Sequence, residues 1–160
     1  MPSSGTFLIR CAACGVTNRL AREKAYSAHE AVCVRCHRPL TVEGRPRTVT
    51  DASFGSDVER SPLPVLLDAW APWCWPCQMI GPLVEEIAIE MAGRLRLGKL
   101  NVDENPSTAA RFDISRIPTL LVLERGREID RIVGVQTKAD IARRIARVIP
   151  RRLARRLVSP

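Results

Sequence analysis

The six cysteines of this chain fall into three pairs of identical spacing, Cys11/Cys14, Cys33/Cys36 and Cys74/Cys77. Two thiols three residues apart converge on one another or on a shared metal, so each pair restricts the surrounding backbone tightly. The first two pairs, "CAAC" and "CVRC", give the pattern C-x2-C-x18-C-x2-C. Tetrahedral zinc takes four soft ligands from two such knuckles. Gly15 after the first pair and the "HRPL" turn after the second suit tight knuckles that aim backbone amides at sulfur. Residues 1–45 hold these four cysteines and both histidines, but no long periodic apolar segment. A unit that small cannot fold on its own core, and a metal supplies the missing folding energy. The expectation is a zinc-ribbon-like module with one structural Zn2+ on Cys11, Cys14, Cys33 and Cys36. His29 and His37 are then surface residues, because four thiolates already fill the site. The alternatives are two disulfides, disfavoured in a reducing compartment, and four unengaged thiols, disfavoured by the small size of the unit.

The third pair has no second pair to complete a metal site. It lies in "WAPWCWPCQMIGP", Trp70 to Pro82, at the junction of an apolar run and a helical pattern. A cysteine at a helix N-terminus has its thiolate stabilised by the dipole and by free backbone amides. Cys74 is therefore the candidate nucleophile, and Cys77, one turn deeper, the candidate resolving thiol. The alternative is a purely structural pair. Asp68 falls inside "VLLDAW", where a buried carboxylate is costly without a role. Burial raises the pKa of such a group and suits it to exchange a proton with a nearby thiol. A hydrogen-bonded structural Asp is the alternative.

Beyond the cysteines, the chain alternates strand and helix patterns. "VEGRPRT" (Val42–Thr48) reads as a linker and Asp51–Arg60 as a weak helix. "PVLLDAWA" (Pro64–Ala71) reads as a buried central strand. A helix is expected from Cys74 to about Gly93, with Ile80, Leu83, Val84, Ile87, Ala88 and Met91 inward and a kink at Pro82. A strand over Arg94–Asp103, a short helix over Pro106–Ile114, and strands over Thr119–Gly126 and Glu128–Val135 joined by a Gly-containing turn follow. Lys138–Ile149 is an amphipathic helix with Ile141, Ile145, Val148 and Ile149 inward. This order predicts an α/β fold, a mixed central sheet with helices on both faces. The expected division is 1–45 for the zinc module, 46–149 for the α/β domain and 150–160 for a basic C-terminal extension.

Composition narrows the function. With 46% hydrophobic and 26% charged residues, the chain is that of an ordinary soluble globular protein. No apolar run approaches bilayer length, and the first residues, "MPSSGTFLIRC", lack the basic and apolar regions of a signal peptide. A cytoplasmic protein with no membrane partner is the expectation. Of the net charge of +8, the segment from Lys138 onward contributes eight basic residues and one acid, Asp140. Nucleic acid is not an expected partner despite this tail, because no aromatic residue is interleaved for base stacking.

The motifs "WAPWCWPC", "KLNVDENPSTAARFDISRIPTLLVLERG" and "IVGV" resemble, in the right order, the thioredoxin family over about residues 47–149. With its four-cysteine extension the chain is similar to the zinc-containing branch of that family, thioredoxin 2. The resemblance implies a thioredoxin fold and an oxidoreductase that reduces protein disulfides and serves electron transport and cell redox homeostasis. It implies that Cys74 attacks the substrate disulfide, that Cys77 releases the mixed disulfide, and that Asp68 is the buried acid with Lys99 near it. It further implies a cis-proline at Ile117-Pro118 facing the dithiol, and a substrate-docking rim of Trp73, Gly134 and Val135. The reductant implied is a thioredoxin-reductase-like flavoprotein dependent on NADPH. This chain carries no dinucleotide fingerprint, so neither NADPH nor flavin is expected to bind it directly.

One dipeptide departs from the family pattern. Trp75-Pro76 stands between the cysteines where Gly-Pro is usual. An indole carries no charge to stabilise a thiolate, so Trp75 is expected to be exposed and to add apolar surface for substrate, beside Pro76. Neutral variation within the family is the alternative. Two other functional readings remain: a disulfide oxidant or isomerase with a retuned potential, and a redox-switched, zinc-dependent binding protein.

Overall fold

The computed structural model describes residues 6–21, 31–40, 45–91 and 94–149, with Phe7 described by its backbone alone. His29, the first part of the linker, Gly93 and the extension from Pro150 onward lie outside the described residues.

The first unit is a hairpin, β1 (Thr6–Arg10) and β2 (Thr17–Ala21), paired antiparallel with Thr6 opposite Ala21 and Arg10 opposite Thr17. Its largest buried cluster consists of Cys11, Cys33 and Leu40, with Cys14, Val16, Ala31 and Cys36 packed against them. Thiols thus form most of this core, which fits a unit that cannot close on hydrocarbon alone.

The second unit is built on a five-stranded sheet: β3 (Arg47–Thr48), β4 (Val65–Trp70), β5 (Arg96–Asn101), β6 (Thr119–Glu124) and β7 (Arg127–Val133). The spatial order is β3-β5-β4-β6-β7, with β3, β5 and β4 parallel and β6 and β7 each antiparallel to its neighbour. The linker reading needs correction at its end. Arg47 and Thr48 are an edge strand on β5, formed by long-range pairing that two exposed polar residues do not announce.

Alternation along the strands places apolar side chains on both faces. On one face Leu66, Leu97, Leu120, Val122 and Ile132 pack with helices α2 (Trp75–Glu90) and α4 (Lys138–Val148). On the other, Val65, Leu67, Leu100, Leu121 and Leu123 pack with Phe54, Val58 and Phe112, carried by or next to helical turn α1 (Gly55–Glu59) and helix α3 (Pro106–Arg111). The expected helix over Asp51–Arg60 is thus one short π-type turn. Helix α2 continues through Pro82, with Leu83 only half-buried, and Ile141 and Ile145 of α4 and Ile149 at its C-cap are buried as expected. A two-residue turn at Arg125 (φ 51) and Gly126 (φ 82) joins β6 to β7, the left-handed pair that matches strand twist. At Gly98 of β5 an added Cβ would lie 2.7 Å from Val49 Cγ2 and 3.2 Å from Leu67 Cδ1. Only glycine lets Val49, the residue after β3, approach so closely.

Candidate active site and candidate metal centre

β4 ends at Trp70, and after a short turn Cys74 is the N-cap of α2. Its sulfur accepts a hydrogen bond from the Cys77 N–H at 3.3 Å. Pro76 has no N–H to offer, so within this turn the amide of Cys77 serves the sulfur. Cys74 and Cys77 are joined as a disulfide with Cα atoms 5.3 Å apart. The residues are 3% and 4% exposed, so burial does not tell the two sulfurs apart. Position does: Cys74 stands at the positive end of the helix and Cys77 inside its first turn.

Around the disulfide, Ala71, Cys74 and Cys77 form a small cluster on which Trp70, Val102 and Ile117 pack. Ile117 brings the Ile117–Pro118 bond, which is cis, alongside the dithiol. The Pro118 carbonyl accepts the Gly134 N–H at 2.9 Å, tying this loop to the end of β7. Gly134 has φ 84 and open space where a Cβ would stand. Trp73, Trp75, Met79, Val133 and Val135 are all exposed, and Pro76 is exposed between the cysteines. The Trp73 indole is held in place by its Nε1–H, which donates to Asp103 Oδ2 at 2.8 Å. Trp75 is 67% exposed, as the sequence leads one to expect.

Asp68 lies on β4 directly opposite Lys99 of β5. It is 1% exposed, and its Oδ1 has no hydrogen-bond partner among the described residues. Burial pushes its carboxyl up to about 6, against a downward pull from Lys99 and a further push from Glu85. Lys99 Nζ stands 4.0 Å from Asp68 Oδ2 but 3.4 Å from Glu85 Oε1. Cys77, Gly81 and Glu85 follow at i, i+4 and i+8 along one face of α2. Lys99 Nζ reaches this face, 3.7 Å from the position of a Gly81 Cβ. One ammonium therefore serves two carboxylates beneath the helix headed by the dithiol, and the buried one is left under-compensated. Sequence reasoning missed Glu85. Its helical register with Cys77 was the available signal, but the sharing of Lys99 is a tertiary fact.

The two N-terminal knuckles are built alike. The Cys11 N–H donates to Val16 O and the Gly15 N–H to Cys11 O; the Cys33 N–H donates to Arg38 O and the His37 N–H to Cys33 O. Gly15 (φ 75) and His37 (φ 56) both take the left-handed conformation after the second cysteine. His37 is exposed. Zinc–sulfur bonds of about 2.3 Å in a tetrahedron set sulfurs about 3.8 Å apart. Across the knuckles Cys11 and Cys36 sulfurs are 3.7 Å apart and those of Cys14 and Cys33 3.6 Å. All four lie within 4.8 Å of one another. These separations are too long for disulfides and suit a metal of zinc's size and softness.

Comparison with known proteins agrees with this arrangement over the second unit. The sequence model of the family described as Thioredoxin matches residues 45–147. The chain belongs to the thioredoxin family. It is 50% identical over 102 residues to a thioredoxin of Mycobacterium tuberculosis (strain ATCC 25618 / H37Rv), covering 64% of this chain and 88% of that one. It is 49% identical over 94 residues to a thioredoxin of Synechocystis sp., covering 59% and 88% respectively. A bifunctional thioredoxin reductase/thioredoxin of Mycobacterium leprae is 47% identical over 102 residues, 64% of this chain and 22% of that protein. The fold is thus a thioredoxin domain preceded by a four-cysteine cluster. Family membership makes the chain a protein-disulfide oxidoreductase, and Cys74 and Cys77 are its pair at disulfide distance. Among the described residues no helix is long and apolar enough to cross a membrane.

Proposed function

We propose that this thioredoxin is a general reductant of protein disulfides in the cytoplasm. The observation that carries the reading is the Cys74 sulfur at the N-cap of α2, accepting the Cys77 amide. In the reduced protein the Cys74 thiolate attacks one sulfur of the substrate disulfide. A Cys74–substrate bond forms, the substrate S–S bond breaks, and the first substrate thiolate leaves. The Cys77 thiol gives its proton to the Asp68 carboxylate, and the resulting thiolate attacks Cys74 sulfur. This closes the Cys74–Cys77 disulfide and releases the second substrate thiolate, so two electrons pass from dithiol to substrate. A carboxyl that titrates at about 6 exchanges protons readily near neutral pH. Trp73, Trp75, Pro76, Ile117, Pro118, Gly134 and Val135 form the surface on which substrate lies. The cis Ile117–Pro118 bond beside the dithiol supports this placement.

The return of electrons comes from a separate NADPH-dependent flavoprotein reductase. The relative that joins a thioredoxin reductase to a thioredoxin in one chain supports this partner. One structural Zn2+ on Cys11, Cys14, Cys33 and Cys36 cross-links the two knuckles and supplies folding energy to the small unit. That feature aligns the chain with the thioredoxin 2 branch. The domain division 1–45, 46–149 and 150–160 belongs to this reading.

The test is covalent trapping. Cys77→Ser incubated with a disulfide-bearing protein should accumulate a mixed disulfide through Cys74, reversible by dithiothreitol, while Cys74→Ser should form none. Equal adducts on both variants overturn the assignment of roles. The Trp75-Pro76 dipeptide favours a second reading, an oxidant or isomerase, and the potential of the couple separates the two.

A further inference from the structure

We propose that Asn18 is the positioning residue of the four-cysteine site, locking the two knuckles together and orienting the Cys33 sulfur towards the metal. This rests on the zinc reading above. Asn18 lies on β2, outside both knuckles, and is 2% exposed. The Val34 N–H donates to its Oδ1 at 2.8 Å, and that donor decides which end of the amide is oxygen. The Nδ2 end then faces three acceptors: Val16 O at 3.2 Å, Ile9 O at 3.4 Å and Cys33 Sγ at 3.6 Å. Val16 closes the first knuckle by accepting the Cys11 N–H, Val34 lies inside the second, and Ile9 belongs to β1. One side chain thus bonds to the hairpin and to both knuckles.

The chemistry follows from burial. Cys33 is 0% exposed, so its sulfur is oriented by the protein groups around it, and an N–H donor aimed at it fixes that orientation. The Asn18 amide supplies such a donor from outside the knuckle. Its opposite end meanwhile satisfies a backbone N–H of the ligand turn. A side chain of this length with acceptor and donor together is asparagine; aspartate lacks the donor and leucine lacks both. Groups that bond to metal ligands in this way set ligand orientation and metal affinity.

The test uses the full chain. Zinc content of the purified wild-type protein is measured first, then its release to a chromogenic zinc chelator. Asn18→Asp keeps the size of the side chain and the acceptor for Val34 but turns oxygen towards Cys33. It should surrender zinc about 10–100-fold more readily, and its Co2+-substituted form should show shifted or lost thiolate-to-metal absorption. Leu20→Ala, whose side chain packs on Ile9 and Ala31 instead of a cysteine, controls for a loosened hairpin and should stay close to wild type. The assignment is overturned by equal zinc release from Asn18→Asp and wild type, or by equal loss in Leu20→Ala. A wild-type protein without bound zinc overturns the metal reading itself, and that first measurement tells the two failures apart.

Discussion

Replacing Asp68 by Asn should change how stability depends on pH, by an amount that the structure sets. Burial raises the Asp68 carboxyl from 3.8 to about 6. Between those two values the folded protein binds more protons at this site than the unfolded chain does. Stability therefore falls as pH rises through that window, and the whole loss is present above pH 6. Two pH units at about 1.4 kcal/mol each give about 3 kcal/mol. The amide of Asp68→Asn cannot ionise, so the variant should escape this loss. Any constant change in packing or hydrogen bonding cancels when one protein is compared with itself at two pH values. The assay is urea unfolding of the oxidised proteins at pH 4 and pH 8, followed by tryptophan fluorescence. All three tryptophans, Trp70, Trp73 and Trp75, flank the dithiol, so the signal reports on this domain and not on the cysteine knuckles. Part of that loss is already present at pH 4, so from pH 4 to pH 8 wild type should lose about 2 kcal/mol relative to the variant. Parallel profiles would refute the claim that Asp68 is a proton acceptor poised near neutrality.

Three further perturbations probe the same geometry. Glu85→Gln removes the carboxylate that competes for Lys99 and pushes the Asp68 pKa upward. Asp68 should then titrate at lower pH, read by carboxyl 13C shifts, and an unmoved titration would contradict the shared-lysine account. Trp75→Gly should slow reduction of protein disulfides while sparing small disulfides. About 50 Å2 of lost apolar contact is worth about 1 kcal/mol, or about fivefold in kcat/KM; unchanged kinetics and potential would leave Trp75 without a role. Gly98→Ala sets a Cβ 2.7 Å from the stiff side chain of Val49, whose backbone is pinned to Lys99 O at 2.9 Å. A loss of about 1–3 kcal/mol in denaturant unfolding is expected, and an unchanged midpoint would show that β3 and its following residues yield freely.

What the sequence made legible follows from where the causes lie. The dithiol, the four-cysteine cluster, β4 and α2 are written in local spacing: paired thiols, an unbroken apolar run, and apolar residues at helical intervals. The same holds for the β6–β7 hairpin, whose turn needs Gly126 at φ 82. The missed features depend on partners distant in sequence. β3 exists because Arg47 and Thr48 pair with Gly98 and Lys99. Glu85 matters because Lys99 reaches it from another strand, and Asn18 because the chain returns Cys33 and Val34 to it. Helix α3 likewise takes its N-terminal bonds from afar. Asp51 accepts the Thr108 N–H and hydroxyl and the Ser107 N–H, a cap supplied by a residue that looked like the start of another helix.

The central claim is that the Cys74/Cys77 couple works as a reductant, and its reduction potential tests that most directly. Protein purified without chelators is equilibrated against glutathione buffers of graded ratio, and the fraction oxidised is read by thiol alkylation. About 30 mV is a tenfold change in the equilibrium constant of a two-electron couple, so the result discriminates sharply. A reductant should show a potential below the cytosolic glutathione pool, which lies at roughly −220 to −260 mV by extraction. A value well above that range would mean that Trp75-Pro76 has retuned the site to an oxidant or isomerase, and would rule out the reductant role.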